Sequence, residues 1–419
     1  MPVEIQGEGK LNSTQLGSSV CRHTMPVKVS IIIGDLSGEG AGRWGGAERP
    51  FLLTKAFQKL GIQVEILGFD NDNMPLSVGP EVTVKRFPKN HYPGFLKSAA
   101  QLIQAIEGDI IYAYKTKASS FGVGLLAKKW LRKPLILDID DWEMSWHGGE
   151  EWCYQATLKQ RYRDLVKANG AFRQPDHPIY LKRMEQKVHQ ADAVTVHTAF
   201  LQQKFGGIYI PNGKDVNTFD PSQYDSLASR QQFGLEPYKV LMFPGAPRPY
   251  KGVEDLLAAL DILQRPDLRL VIVGGSPYDD YDQTLHQRWG KYIIQIPKLR
   301  HSEMPRIVSA ADIIVVPQRD TAAAKAQFPL KLTDGMAMAK PILATSVGDI
   351  PNILNGTGHV VQPGDSQAMA QKITEILADP KASQAMGECA RQRCIQLYSI
   401  ETIATSLHRT VLPFITPPK

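Results

Sequence analysis

PLKLTDGMAMAKPILATSVGDIPNIL, residues 329–354, decides how the rest of the chain is read. It opens on Pro329, a residue suited to the first turn of a helix. A short helical pattern over 330–338 carries one carboxylate, Asp334, among small and apolar neighbours. Lys340-Pro341 ends that pattern, an apolar strand follows over 342–345, and Gly348-Asp349 makes a turn. Such a helix can aim its amide-rich N-terminus at an anion while its carboxylate reaches a hydroxyl group. The combination suits a nucleotide diphosphate-sugar. Taken alone, an ordinary helix–strand unit of an α/β domain would read the same way.

Working outward, apolar strand patterns alternate with helical ones. In the first half, strands are expected at 29–33, 64–67, 82–87, 110–114, 135–139, 193–196 and 208–210. Helices are expected at 47–60, 95–106 and 119–131, with helical patterns filling 154–190. The second half repeats the alternation, with strands at 240–243, 270–273, 293–296 and 313–316 and helices at 253–263 and 302–310. Short apolar strands joined by helices predict parallel sheets covered on both faces. Pro211-Asn212-Gly213 is a mid-chain turn signal. The predicted organisation is a flexible tail over 1–26 and a Rossmann-like domain over 27–212. A second Rossmann-like domain covers 213–398, and a C-terminal helical segment over 399–419 crosses back to the first. Met25-Pro26-Val27 repeats the opening Met1-Pro2-Val3, so translation starting at Met25 is as open as Met1.

Composition narrows the class. At 419 residues and roughly 150 per domain, two or three domains are expected. With 43% hydrophobic and 21% charged residues the chain is an ordinary globular one. No apolar run approaches the roughly 20 residues that span a bilayer, and no signal peptide is visible. Cys21, Cys153, Cys389 and Cys394 lack CxxC spacing, which favours a reduced, cytoplasmic compartment. The net charge of +6 permits attraction to anionic substrates or to the inner membrane surface. It is not clustered in a way that argues for nucleic acid.

Ligands of parallel sheets bind at the carboxyl ends of strands. The first such loop, GDLSGEGAGRWGGAE over 34–48, is rich in Gly, which lets backbone amides approach a ligand closely. In the second half, Gly245-Ala-Pro-Arg248-Pro-Tyr-Lys251-Gly252 lies between a strand and a helix. Arg248 and Lys251, stiffened by Pro247 and Pro249, make a preorganised clamp for a diphosphate, or else a solvated charged turn. At 135–142, LILDIDDW ends a strand in carboxylates. Strand alternation puts Asp138 and Asp140 on one face, so a metal-binding DxD pair and a simple cap or turn are both open. Trp142, Trp146 and Trp152, with Lys159, Arg161, Arg163 and Lys167, read as an acceptor or membrane-surface patch, or as a helix with a solvated face.

These motifs together resemble the retaining glycosyltransferases of GT-B fold, family four. The 329–354 stretch is similar to that family's donor signature, Glu, seven residues, Glu, Ala, Met, Ala, x, Gly, x, Pro, Val, Val, Ala, Thr. Gly45-Gly46-Ala47-Glu48 matches its Gly-Gly-x-Glu element. Ile210-Pro-Asn-Gly-Lys-Asp215 resembles its linker element, and Leu270-Val-Ile-Val-Gly-Gly275 its strand and turn. The resemblance covers about 28–360. It implies two Rossmann-like domains facing across a donor cleft, and transfer of a sugar from a nucleotide diphosphate-sugar to an acceptor hydroxyl with retention. The acceptor is a glycan, a lipid-linked molecule or a small molecule.

Residue by residue, the resemblance implies that Gly45 and Gly46 border the donor, that Lys251 holds the diphosphate, and that Asp334 holds the ribose. The family's Arg falls at Ala246, and Arg248 is its plausible substitute. Counting back from Asp334, the family's first Glu falls at Ala326, which cannot bond sugar hydroxyls. Gln327 can, so it is the expected replacement, next to Phe328 in the donor wall. Pro329 removes a backbone N–H that relatives offer the phosphate, and Lys331 can compensate. Asp140 stands where many relatives carry a His near the reacting sugar, and a carboxylate there orients the acceptor or stabilises positive charge. No cofactor is expected and transfer should be metal-independent. A nucleotide-sugar epimerase of the same fold and a non-catalytic sugar-nucleotide-binding subunit are the alternatives.

Overall fold

The computed structural model describes residues 27–37, 49–73, 76, 78–276 and 279–415. The tail over 1–26 and the Gly45-Gly46 element lie outside these. The first domain is a sheet of β1 (Lys28–Ile33), β2 (Gln63–Phe69), β3 (Thr83–Phe87), β4 (Ile110–Tyr114), β5 (Leu135–Ile139), β6 (Ala193–Val196) and β7 (Ile208–Tyr209). Its order is β3-β2-β1-β4-β5-β6-β7, and every neighbouring pair is parallel. The second domain holds β8 (Lys239–Phe243), β9 (Leu268–Val273), β10 (Ile293–Ile296), β11 (Ile313–Val316), β12 (Ile342–Thr345) and β13 (His359–Val361). Their order, β10-β9-β8-β11-β12-β13, is again all parallel.

Both orders are doubly wound, and they reverse direction next to β1 and β8. Such a switch point leaves a crevice at the carboxyl ends of the strands. The apolar runs explain the strands: β1, β4, β8 and β11 are buried almost throughout because helices cover both faces.

The chain crosses between the domains twice, at one place. Lys214 N–H donates to the Tyr398 carbonyl at 2.6 Å, and Ile400 N–H donates to the Lys214 carbonyl at 3.1 Å. Past this bridge, the Ile400–Ile415 helix returns to the first domain. Ile403, Leu407 and Val411 on it are buried in the same cluster as Phe51, Phe57 and Ile210.

The 154–190 region differs from the expected run of helix. It breaks into short helices at Leu158–Val166 and Pro178–Glu185, with single 3-10 turns at Ala171–Arg173 and Val188–Gln190. Gly170 makes the first break. A Cβ there would lie 2.2 Å from the Asp164 carbonyl oxygen, so the chain turns back closely on itself.

Candidate active site

Two adjoining cavities lie between and beneath the domains, and Ala246, Lys251 and Leu330 line both. The larger, about 730 Å³, is faced by Arg49, Lys115, Asp140 and Asp141 of the first domain and by Arg248 and Gln327 of the second. The other, about 480 Å³, runs into the second domain along Phe219, Val273, Leu299 and Met304. Its charged lining includes Lys214, Lys251, Lys298, Lys331 and Asp334.

The junction is cationic. Lys251 ends a 3-10 turn, Pro249–Lys251, and its Nζ donates to the Ala246 carbonyl at 2.8 Å. Gly252 follows with φ +66°, and a Cβ there would meet the Pro317 carbonyl at 1.8 Å. Only glycine lets this turn press against the end of β11. Lys331, one residue into the Leu330–Ala337 helix, reaches under Gly245, where a Cβ would lie 3.3 Å from its Cε.

Burial pushes the Lys251 ammonium well below its ordinary value, and the neighbouring Lys331 and Arg248 charges push it further. Burial likewise lowers Lys331 to about 8, with Asp334 partly offsetting it. Cations brought together without matching carboxylates destabilise one another. Arg248 is better balanced: its Nη1 donates to Ser276 Oγ at 2.8 Å and to Asp279 Oδ2 at 3.0 Å.

Asp334 has a partner that no local sequence signal names. Its Oδ1 accepts from the Lys214 ammonium, and both side chains are buried. The Lys214 ammonium also sits 3.9 Å from the Phe219 ring centroid. Asp334 lines the second cavity as half of an ion pair rather than as a lone carboxylate.

Opposite the cations stands a carboxylate cluster at the end of β5. Asp140 accepts from Tyr114 Oη and lies 3.6 Å from Lys115 Nζ. Asp141 accepts from Trp146 Nε1 at 3.0 Å and from Gln327 Nε2 at 3.4 Å. Burial raises the Asp141 carboxyl to about 6, and the Glu143 and Asp140 charges add to this against Lys115. Burial also acts upward on Glu143, but Lys115 and Lys117 outweigh it and hold that group at about 2.

Asp138 does not face the cleft beside Asp140. Asp138 is fully buried, and Arg49 Nε and Nη2 donate to its two oxygens at 2.7 and 2.9 Å. With Thr195 Oγ1 also donating at 2.5 Å, no room remains for a shared cation with Asp140. Among the described residues, no group of three or more His, Cys, Asp or Glu side chains could hold a metal ion.

Gln327 lines the larger cavity. Its Oε1 accepts from Tyr250 Oη at 3.1 Å, and its Nε2 bridges to Asp141, so it touches both domains. Phe328 lines the cleft too, though its ring packs with those of His197 and Tyr398. The tryptophans form no single patch. Trp142 is buried beside Phe200, Trp146 meets the Tyr250 ring in the cleft, and Trp152 packs on His177.

Sequence reasoning missed Arg49, His197 and Lys214. His197 follows β6, and its Nε2 donates to the Ala326 carbonyl at 3.1 Å across the domain boundary. Burial, then Arg49, lowers it to about 4, which keeps it neutral. The signal for Arg49 was a cation at the start of a helix, against the helix dipole, which calls for a partner elsewhere.

Two Rossmann-like domains with parallel sheets, facing across a cleft, define the GT-B architecture. Residues 238–379, within the second domain, match the family model described as Glycosyl transferases group 1. The chain is 27% identical over 230 residues to a GDP-mannose-dependent alpha-(1-6)-phosphatidylinositol monomannoside mannosyltransferase of Mycolicibacterium smegmatis, covering 51% of this chain and 60% of that one. It is 26% identical over 235 residues to a glycogen synthase of Mycobacterium tuberculosis, covering 54% and 55%. The chain thus spans between half and two thirds of the length of these relatives.

Among solved structures, Anabaena HepE in complex with UDP and glucose superposes with TM-score 0.71 at 20% identity, covering 92% of this chain and 99% of that one. Sucrose-phosphate synthase from Thermosynechococcus elongatus gives 0.67 at 20%, covering 92% and 98%. At such identities the likeness concerns the fold.

Proposed function

We propose that the protein is a retaining glycosyltransferase that moves a sugar from a nucleotide diphosphate-sugar to an acceptor hydroxyl. The observation that carries this is the junction of the two cavities. There Lys251, Lys331 and the N-terminus of the Leu330–Ala337 helix meet, facing the Asp140 and Asp141 carboxylates. A diphosphate at the junction relieves the mutual repulsion of the lysines and draws both to their charged forms. The apolar second cavity then takes the base, and Asp334 with Lys214 takes the ribose. Gln327 and Phe328 border the sugar, with Arg248 steadying the phosphate from the rim. Asp140 and Asp141 orient the acceptor, whether glycan, lipid-linked or small molecule.

The relatives include a GDP-mannose-dependent mannosyltransferase, and the HepE structure holds UDP and glucose. Both support a nucleotide-sugar donor. Nothing in them favours an epimerase. No described helix is long and apolar enough to cross a membrane. A cytoplasmic setting, as expected from the few cysteines, goes with this reading.

The test is a panel of nucleotide sugars, read first by thermal shift. A donor at about 100 times its dissociation constant stabilises by about 2.7 kcal/mol. Transfer with that donor is expected to persist in excess EDTA, because protein cations do the work of a divalent ion. Activity lost in EDTA and restored by magnesium or manganese overturns metal independence. Binding without turnover would leave a partner subunit, and turnover without acceptor an epimerase.

The Lys214 pair changes what Asp334→Ala should do. It is expected to weaken donor binding at least tenfold, since charge-assisted bonds contribute about 1.5–3 kcal/mol. It should also lower the melting temperature, because the buried Lys214 loses its counter-ion. Adding Lys214→Met should restore stability without restoring affinity. An unchanged donor dissociation constant rejects the ribose assignment.

A further inference from the structure

The Leu158–Val166 helix stands apart from the cleft with an apolar face turned to solvent. Leu158 is 84% exposed, Tyr162 70%, Leu165 59% and Val166 53%. At 3.6 residues per turn these positions fall within an arc of about 100°. Lys159 and Arg163 flank that arc on one side and Arg161 on the other, and Lys167 follows at the helix end.

The opposite side is where the helix is fastened. Asp164 is its buried residue, and it accepts from Tyr154 Oη at 2.6 Å. The helix start is fixed as well by a capping box. Gln160 N–H donates to Thr157 Oγ1 at 3.3 Å, and Thr157 N–H donates to Gln160 Oε1 at 2.8 Å. So the helix is firmly built, its carboxylate faces the protein, and its apolar stripe faces outward. Among the described residues nothing covers that stripe.

We propose that this helix docks the protein on an anionic lipid bilayer. The stripe enters the interface between headgroups and acyl chains, and Lys159, Arg161, Arg163 and Lys167 contact lipid phosphates. Charge complementarity selects this occupant. A second copy of the chain would bring the same cations against each other at the rim of the stripe. An anionic surface is attractive to all of them. The only acid on the helix, Asp164, is buried and accepts from Arg163 Nη2 at 3.3 Å, which leaves Lys159, Arg161 and Lys167 without a partner carboxylate on the helix. Within the transferase reading, docking would bring the cleft close to lipid-carried acceptors. The docking itself stands independently of that reading.

The experiment is co-flotation of the full chain with vesicles of phosphatidylcholine alone, or of phosphatidylcholine with phosphatidylglycerol. Binding is read as protein recovered with lipid, so it does not depend on finding a sugar donor. The parent should bind the anionic vesicles at least tenfold better than the neutral ones. Raising salt from about 0.1 M to about 1 M shortens the screening length from about 10 Å to about 3 Å and should weaken binding.

L158S/Y162S/L165S and, separately, K159E/R161E should each lose at least tenfold in affinity for anionic vesicles. All these positions are exposed, so the variants should keep the parent's melting temperature. Parent-like binding by both variants overturns the proposal, as does equal binding to neutral and anionic vesicles. A parent that ignores vesicles but forms a dimer abolished by L158S/Y162S/L165S shows that the stripe pairs with a second copy, and overturns it too.

Discussion

Lys251→Ala is expected to lower kcat by about 10² to 10³ while weakening donor binding less. In retaining transfer the bond to the departing diphosphate breaks early, so negative charge grows there in the transition state. A cation about 4 Å away in a partly closed cleft interacts with that charge by roughly 4 kcal/mol at an effective dielectric of 20. Some of that interaction already exists with bound donor, and only the increment accelerates the reaction. Removing one preorganised charge-stabilising group typically costs about 10² to 10³ in turnover.

Lys251 is suited to this role because it is held in a position that disfavours its own charge until an anion arrives. Arg248→Ala should cost less, because its guanidinium is shared with Asp279 and Ser276 at the cavity rim. Steady-state kinetics with a donor from the panel measures both variants. Wild-type kinetics for Lys251→Ala would remove the main support for the transferase mechanism.

The architecture was legible because a parallel sheet buried on both faces writes each strand as a local apolar run. Strands 110–114, 135–139, 293–296, 313–316 and 342–345 read from the sequence have the observed bounds. The cation loop was legible for a similar reason. Arg248, Lys251 and Lys331 lie at strand and helix ends, where the fold alone tells which way a loop faces.

Buried pairs were not legible. Arg49 and Asp138 are 89 residues apart, and Lys214 and Asp334 are 120 apart. Nothing local in either segment names its partner. Asp138 and Asp140 do share a strand face, but one contacts Arg49 in the interior and the other borders the cleft, which alternation alone cannot distinguish. Lys214 had a faint signal: a long cation inside a compact turn motif needs a counter-charge close by. The 154–190 region failed for a different reason. Its helical periodicity is genuine in short pieces, and Gly170 and Pro178 divide them.

Asp138→Ala is expected to destabilise the protein by about 3–5 kcal/mol, the usual consequence of stranding one partner of a buried ion pair. Arg49 and Asp138 have side-chain exposures of 1% and 0%, so water cannot take over for the missing carboxylate. Thr195 Oγ1 and Tyr112 Oη, at 2.5 and 3.3 Å, would lose an acceptor as well. Arg49 Nη1 also donates to Asn212 Oδ1 at 3.0 Å, so the pair ties the first helix, the end of β5 and the interdomain linker together. For a domain of this size each kcal/mol shifts the melting temperature by about 2–4 °C, which predicts a drop of roughly 6–20 °C. The double variant Arg49→Met/Asp138→Leu removes both charges and should recover much of the loss, since apolar replacements of buried pairs are often neutral or stabilising. The comparison separates a structural pair from a metal ligand. A ligand variant would melt normally and lose only a metal-dependent activity, and adding Arg49→Met would recover nothing. Normal melting of Asp138→Ala would therefore reject the structural role and reopen the DxD reading.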